Sequence, residues 1–263
     1  MRLTDREPWV WRRPPHPPLG TGEVHVWRVS LDVDADPLRP LLSPDERQRA
    51  ARFHRDEHRR RYIGAHGALR LILGAYLDAE PAALAFELGE HGKPSLREPT
   101  GEGGSRVEFN LSHSAELALV AVARDHPVGV DVERWAEVEH LELAERFFSR
   151  AERDALRALA DVAEHLDAGF FAAWTRKEAY LKATGHGITR GLHHFDVTLA
   201  PGTEAALLAD RLDATATQRW AMRSVLPADG YSGAVVAGAP LRDVLLLDAD
   251  PLVQRAAQGT PAR

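Results

Sequence analysis

Hydrophobic and polar residues alternate along several short stretches of the chain, a pattern that predicts β-strands because successive side chains of a strand point to opposite faces. In the clearest stretch, Pro127–Glu133, three valines would form one face. The opposite face would carry Gly129, Asp131 and Glu133, and the glycine would leave room for a ligand beside the carboxylates. The short turns between residues 107 and 133 predict an antiparallel meander. Further strands are predicted at residues 23–33, 85–88, 107–111, 117–123, 195–199, 219–226 and 231–237.

A second periodicity, with apolar residues three or four positions apart, predicts helices between the strands. Ser43, followed by proline and two acidic residues, is typical of a helix N-terminus, and this helix is predicted to continue to Leu77. Ser149 and Glu152 have the spacing of a capping box, in which each side chain accepts a hydrogen bond from the other residue's backbone N–H. Further helices are predicted at residues 141–148, 149–159 and 170–182.

Composition places the chain among ordinary globular proteins, with 263 residues that are 44% hydrophobic and 27% charged. This length suits one large domain or two packed halves. Because the chain has no cysteine, disulfides and thiolate sites are excluded. The proline-rich stretch over residues 1–22 lacks the apolar core of a signal peptide, and no long apolar run predicts a membrane span. We therefore expect a cytoplasmic protein without membrane contact.

Charge changes this picture locally. The net charge of −6 argues against general binding to nucleic acid. The stretch from Arg47 to Arg61 nevertheless contains seven arginines and two acidic residues. Arginine suits phosphate because its planar guanidinium offers several donors at once. A solvated helix face with ion-paired arginines explains the same stretch equally well.

Three carboxylates are candidates for a metal site. Asp131 and Glu133 would lie on one face of the acidic strand, and Glu178 lies in the predicted helix 170–182. Carboxylate oxygens are the ligands that Mg²⁺ prefers. Trp174, Glu178 and Lys182 recur every four residues and would share a helix face, although an ordinary surface Glu–Lys pair has this spacing too.

Known motifs narrow the chemistry. No P-loop, dinucleotide fingerprint or serine-hydrolase motif is present, which argues against the common kinds of ATP, dinucleotide and acyl-enzyme chemistry. Lysines 93, 177 and 182 and the arginine stretch could neutralise several phosphates. The residues therefore indicate Mg²⁺-assisted transfer at a phosphate ester, without identifying the substrate.

Six short motifs give the chain a resemblance to the Sfp-type 4'-phosphopantetheinyl transferases, over roughly residues 24–237. They are SPDERQRAARF (43–53), HGKP (91–94), FNLSHS (109–114), VGVDVE (128–133), RFFSRAE (146–152) and WTRKEAYLK (174–182). Each motif alone is weak, but all six in this order are hard to obtain by chance.

The resemblance implies an α+β fold of two similar halves related by a pseudo-twofold axis. Each half would be a small, mostly antiparallel sheet packed on a long helix, and the active site would lie in the cleft between them. We expect an irregular arm at residues 1–22, halves at 23–125 and 126–240, and a tail at 241–263.

The resemblance also implies an activity. Such enzymes move the 4'-phosphopantetheine arm of coenzyme A onto a serine of an apo acyl or peptidyl carrier protein and release adenosine 3',5'-bisphosphate. The carriers serve fatty-acid, polyketide or nonribosomal-peptide assembly. The enzyme would act as a monomer and use Mg²⁺ or Mn²⁺.

Site residues follow from the matched motifs. Asp131, Glu133 and Glu178 would hold the metal ion on the diphosphate, and Lys182 would bind the same diphosphate. Removal of the serine proton would fall to Glu178 or Glu152, and the capping-box spacing favours Glu178, although a metal-bound carboxylate is a weaker base. Residues 134–148 would contact the carrier. Coenzyme A would also be bound by Arg49, Arg52, Arg61, Tyr62, Lys93, Pro94, Ser112, His113 and Lys177.

One departure affects the phosphate contacts. Some members of the family have a lysine where this chain has Glu46, so Arg47 or Arg49 would have to contact the 3'-phosphate.

Two alternatives are compatible with the same residues. The first is a Mg²⁺-dependent phosphohydrolase that acts on a nucleotide-like ester, and the second is a module that binds a carrier or nucleotide without chemistry. The Trp174–Lys182 helix together with Ser112 and His113 suits coenzyme A better than attack by water. A module without chemistry would have no need of all three carboxylates.

Overall fold

The computed structural model describes residues 18–97, 105–187 and 190–258. Most of the predicted proline-rich arm lies outside these residues. The strands are β1 (Glu23–Ser30), β2 (Phe86–Leu88), β3 (Pro94–Leu96), β4 (Val107–Ser114), β5 (Leu117–Arg124), β6 (Val128–Arg134), β7 (Phe195–Val197), β8 (Leu207–Asp210), β9 (Trp220–Val225), β10 (Tyr231–Gly238) and β11 (Asp243–Asp248). The α-helices are α1 (Pro44–Ala51), α2 (Asp56–Leu77), α3 (His140–Phe147), α4 (Arg150–Arg157), α5 (Ala163–Thr184), α6 (Ala216–Arg219) and α7 (Asp250–Ala257).

Two small sheets carry the fold. The first has the strand order β11–β1–β5–β4 and the second the order β6–β10–β9. All neighbours pair antiparallel except β1 and β11, which are parallel. Helix α2 contributes apolar residues to the core beside the first sheet, and α5 does so beside the second. These layers confirm the predicted α+β fold, whereas the pseudo-twofold axis, the domain boundaries and the monomeric state stay predictions.

The valine face of β6 joins the two sheets. Val128, Val130 and Val132 are fully buried and belong to a core cluster that also contains residues of β1, β5 and β10. Their burial removes apolar surface from water at the boundary between the sheets and so stabilises the sheets against each other. The predicted strand and the predicted burial of its valines are confirmed.

Gly129 makes room for a helix and not for a ligand. A Cβ atom at this position would lie 2.1 Å from the carbonyl oxygen of Ala179 and 2.3 Å from the backbone nitrogen of Ala183. Helix α5 therefore packs its backbone directly on β6, and the absent side chain makes room for the helix. The prediction that this space receives a ligand is wrong.

Three predictions of local structure also differ. Strand β6 pairs with β10 rather than β5, so the meander ends after β4 and β5. The helix predicted from Ser43 to Leu77 is interrupted, because Arg55 adopts an extended backbone conformation between α1 and α2. The predicted tail contains β11, which pairs with β1, and α7, whose Leu252 and Val253 enter the core of the first sheet. Parallel pairing between the two ends of a chain leaves no local sequence signal.

No helix in the described ranges is long and apolar enough to cross a membrane. The predicted cytoplasmic location stays a prediction.

Candidate active site

Strands β4 and β6 lie side by side but belong to different sheets. We call the boundary between these two strands the seam. Three alternate residues of β4 bond across it through their side chains. Asn110 Oδ1 accepts from Val130 N–H at 2.9 Å, Ser112 Oγ donates to Asp131 Oδ1 at 2.8 Å, and Ser114 Oγ donates to Glu133 Oε2 at 2.7 Å.

Asp131 is the buried acid of the seam, with only 3% of its surface exposed. Its Oδ1 accepts a second hydrogen bond from Lys182 Nζ, at 2.6 Å, and Lys182 also donates to Ser112 Oγ at 2.9 Å. Its Oδ2 is buried and has no hydrogen-bond partner within the described part of the chain. Burial raises the pKa of Asp131, although the Lys182 ammonium and the Ser112 hydroxyl oppose the shift.

Glu133 and Glu178 complete an acidic group around Asp131. Burial raises the pKa of Glu178, and the charges of Asp131 and Glu133 raise it further. Burial likewise raises the pKa of Glu133, with an added contribution from Asp131. The three carboxylates, predicted from distant parts of the sequence, therefore lie within electrostatic reach of one another.

The donor set of this acidic group fits a hard divalent cation. It offers carboxylate oxygens, including the unpartnered Oδ2 of Asp131, and repulsion between its charges would be relieved by a cation. Within residues 18–97, 105–187 and 190–258, no three acidic or histidine side chains are arranged as the ligands of one ion. The positive charge beside Asp131 is instead supplied by Lys182.

Lys177 and Glu152 meet each other and not the acidic group. Their side chains are 0% and 3% exposed and form an ion pair of 2.8 Å. Ser149 and Glu152 form the predicted capping box, which is confirmed. The remaining partners are backbone groups: Lys177 Nζ donates to the carbonyls of Leu192 and Phe195, and Glu152 Oε1 accepts from Val197 N–H. Both Glu152 oxygens are thus engaged, and Lys177, which was predicted to bind coenzyme A, is enclosed in the core.

A positive patch lies at the end of β4, where the structure brings together side chains from both halves. The patch consists of His113, His66, Lys182, Arg61 and His58. Desolvation by the surrounding atoms lowers the pKa of His113, and the positive charges of the other four residues lower it further. Arg61 itself pairs with Glu57 and Glu116. Because cations repel one another here, the patch favours an anionic ligand. Sequence reasoning found His113, Lys182 and Arg61 but missed the two histidines of α2.

The other two arginines predicted to bind coenzyme A lie on the exposed side of the first half. Arg49 and Arg52 are exposed at the end of α1. The Arg49 guanidinium lies 5.8 Å from the ring centroid of the buried Tyr62, which in turn stacks on His66 at 4.0 Å. Tyr62 thus packs in the core, and its ring lies between Arg49 and His66 of the positive patch.

Glu46 has a structural partner. It forms a capping box with Ser43 and pairs with Arg70 at 2.8 Å and with His66 at 3.4 Å. Burial opposes ionisation of Glu46, but the hydrogen bonds from His66, from the Ser43 backbone and from Arg70 lower its pKa to about 2. Arg47 donates to the carbonyl of Leu42 at 2.5 Å.

Lys93 reaches across to the second half. Its Nζ donates to the carbonyl of Val128 at 2.9 Å and to that of Ala183 at 3.4 Å, and burial lowers its pKa. Its neighbour Pro94 begins β3. Lys93 therefore ties the β2–β3 hairpin to the start of β6 and the end of α5, close to Lys182 in the chain.

Comparison with known proteins identifies the family of the chain. Residues 127–236 match a model described as the 4'-phosphopantetheinyl transferase superfamily, and residues 33–125 match one described as 4'-phosphopantetheinyl transferase, N-terminal. The chain is 43% identical over 231 residues to 4'-phosphopantetheinyl transferase HetI of Nostoc sp., covering 86% of this chain and 92% of that protein. It is 36% identical to 4'-phosphopantetheinyl transferase psf-1 of Bacillus pumilus, covering 65% of this chain and 69% of that protein. It is 30% identical to 4'-phosphopantetheinyl transferase Sfp of Bacillus subtilis, covering 67% of this chain and 75% of that protein. The chain therefore belongs to the 4'-phosphopantetheinyl transferase superfamily and is a transferase of the Sfp type.

Proposed function

We propose that this enzyme transfers the 4'-phosphopantetheine arm of coenzyme A to a serine hydroxyl of an apo carrier protein and releases adenosine 3',5'-bisphosphate. The family supports the transferase class. The observation that carries the proposal is the seam, where the buried Asp131 keeps one oxygen unpartnered beside Lys182 and two further carboxylates.

Asp131, Glu133 and Glu178 would hold a divalent cation, Mg²⁺ or Mn²⁺. When bound, the ion supplies positive charge that neutralises the oxygens of the coenzyme A diphosphate. The pKa values of all three carboxylates are raised in the protein alone, so a cation would favour their ionised forms.

The positive patch would receive the phosphate groups. Lys182 donates to Asp131 at the seam, and its charge also acts on His113, so its ammonium borders both the acidic group and the positive patch. We assign Lys182 to the diphosphate and His113, with His66 and Arg61, to the 3'-phosphate end. Arg49 and Arg52 are exposed beside this end and would add longer-range attraction.

The transfer exchanges one phosphorus–oxygen bond for another. The carrier serine oxygen forms a bond to the phosphorus that bears the pantetheine arm, and the bond from that phosphorus to the bridging oxygen breaks. The serine proton passes to the Glu178 carboxylate. The bridging oxygen leaves on adenosine 3',5'-bisphosphate, and the Lys182 ammonium stabilises its developing charge.

Glu178 is the better candidate for the base. Its carboxylate lies within electrostatic reach of Asp131, Glu133 and Lys182, where the diphosphate would be held. Glu152, in contrast, has both oxygens engaged by a lysine and by backbone N–H groups. Protonating Glu152 would break a buried ion pair, so we propose only Glu178 for this step.

The carrier would dock on the segment after Glu133. Val138 and Leu141 are exposed apolar residues there, at 38% and 37%. A cavity of about 570 Å³ lies alongside and is lined by residues 135–140 and Asp167. Because this segment leads directly out of the acidic strand, a carrier bound to it would bring its serine near the seam.

Intact-mass spectrometry tests the proposal. Apo carriers of the fatty-acid, polyketide and peptidyl classes are incubated with the enzyme, coenzyme A and Mg²⁺, with omission of each component as control. We expect at least one carrier to gain the mass of one phosphopantetheine arm. If no carrier gains mass, the proposed transfer is wrong, and release of phosphate or nucleotide without a carrier would point to a phosphohydrolase.

A further inference from the structure

The polar side chains of β4 do more than line a ligand site. Asn110, Ser112 and Ser114 alternate along the strand, and all three bond to β6 across the seam. The two strands belong to different sheets, so these side chains connect them where a backbone ladder would connect two strands of one sheet. The placement of the acidic strand relative to the first half thus depends on them.

The hydroxyl of Ser114 has a fixed direction. It accepts a hydrogen bond from Arg134 N–H at 3.1 Å and donates its single hydrogen to Glu133 Oε2 at 2.7 Å. A backbone N–H within a strand cannot rotate, so the oxygen of Ser114 is held and its hydrogen is left for the carboxylate. One oxygen of Glu133 is therefore fixed by β4.

Ser112 makes the corresponding contact to the other strand acid, because it donates to Asp131 Oδ1 while accepting from Lys182. Both acids of β6 are thereby held through one oxygen each. For Asp131, the second oxygen is the buried, unpartnered Oδ2.

We propose that Ser114 is a positioning residue, which orients Glu133 so that the strand acids present their remaining oxygens to one divalent cation. The inference rests on the proposed metal-dependent transfer. Groups that orient a metal ligand through a hydrogen bond typically contribute about 10- to 100-fold to metal affinity or activity. Without the hydroxyl, the partly exposed Glu133 side chain would sample other rotamers and lose part of its affinity for the ion.

The test compares Ser114→Thr with Ser114→Val. These replacements have the same shape and suit a strand equally, but only threonine keeps the hydroxyl. Mn²⁺ binding to the full-length protein, without coenzyme A or carrier, is measured by electron paramagnetic resonance, and circular dichroism checks the fold. We expect Ser114→Val to bind Mn²⁺ about 10- to 100-fold more weakly than Ser114→Thr. Ser95→Ala is the matched control, because Ser95 donates to Glu87 on the exposed β2–β3 hairpin, outside the site.

Equal Mn²⁺ affinity of the threonine and valine variants would overturn the role of Ser114, as would a wild-type protein that binds no Mn²⁺. Failure of the proposed transfer has a different signature. In that case the two variants differ in Mn²⁺ affinity as expected, but the wild-type protein adds no arm to any carrier.

Discussion

The two halves of the molecule share one structural device and differ in what is added to it. In the first half, α1 begins with a capping box whose Glu46 pairs with Arg70 of α2. In the second half, α4 begins with a capping box whose Glu152 pairs with Lys177 of α5. Arg70 and Lys177 are each the fifteenth residue of a 22-residue helix.

The correspondence extends to the remaining donors of the two cations. Arg70 donates to the backbone carbonyls of Pro81 and Leu84, and Lys177 donates to two backbone carbonyls after α5. Each cation therefore fixes a short helix and a connecting segment to the long helix of its half. Because the same kind of ion pair occurs in both halves, we infer that the Glu152–Lys177 pair has a structural role and not a catalytic one.

The halves differ at the next positions of the long helices. The residue after Lys177 is Glu178, whereas the residue after Arg70 is the buried Leu71. Lys182, the twentieth residue of α5, corresponds to Ala75 in α2. The chemistry is thus added by a few side chains on one half, and four experiments test whether structure and chemistry separate in this way.

The largest effect is expected at the seam. Asp131→Asn removes the buried charge while keeping the size of the side chain, so we expect the protein to fold and kcat to fall by at least about 1000-fold. The loss follows because charge stabilisation by a bound metal ion is worth several kcal/mol, and each 1.4 kcal/mol changes a rate about tenfold. The mass-based transfer assay measures kcat, and circular dichroism checks the fold. A variant with normal turnover would show that Asp131 is not a metal ligand.

A second experiment separates the two glutamates. Glu178→Gln should lower kcat by about 100- to 10,000-fold, the usual contribution of a general base, with little effect on folding. Glu152→Gln should instead lower the free energy of unfolding and leave the kcat of the folded protein within about tenfold of wild type. Steady-state transfer kinetics give kcat and urea unfolding gives the free energy of unfolding of both variants, which together identify the general base. The opposite pattern would make Glu152 the base and remove the distinction between the halves.

The shared device is tested by removing its cations. Lys177→Met leaves the buried Glu152 without its cation, and Arg70→Met leaves the half-buried Glu46 with only His66 as an ion-pair partner. Breaking a buried ion pair costs about 3–5 kcal/mol of folding free energy. We expect urea unfolding to show losses of this size for both variants. The double variant Lys177→Met/Glu152→Gln should lose less than Lys177→Met alone, because it leaves no unpaired charge. If either single variant loses less than about 1 kcal/mol, the comparison between the halves fails for that half.

The smallest effect concerns pH. Glu46 has a pKa of about 2 in the folded protein against 4.5 ordinarily, so between these values the unfolded chain binds more protons. The stability that Glu46 contributes is therefore fully present above its ordinary pKa and is lost as the pH falls toward its folded value. Glu46→Gln should flatten this part of the pH dependence. Urea unfolding of both proteins at about pH 6 and about pH 3 gives the free energy of unfolding at each pH. An equal loss of this free energy in the wild type and in Glu46→Gln would contradict the prediction.

Local features of the sequence predicted much of the fold and the site. The alternation along residues 127–133 identified β6, and the spacing Ser149–Glu152 identified a capping box. The acids of β6 and Glu178 were found as one candidate group, and the structure brings them within electrostatic reach. The features that the sequence did not reveal depend on what packs against each residue. Gly129 contacts the backbone of α5, and Lys177 points into the core while the next residue belongs to the acidic group.

The sequence by itself determined the positions of most strands and helices, the acidic strand and the chemistry available to it, because periodicity and residue type are local properties. Only the tertiary structure decided that Lys177 is enclosed in the core whereas Lys182, on the same helix, lies at the seam. It also decided that β4 orients the acids through its hydroxyls and that β11 returns to the first sheet. These outcomes depend on contacts between residues far apart in the chain, where burial and partner atoms, rather than spacing, fix the state of each side chain.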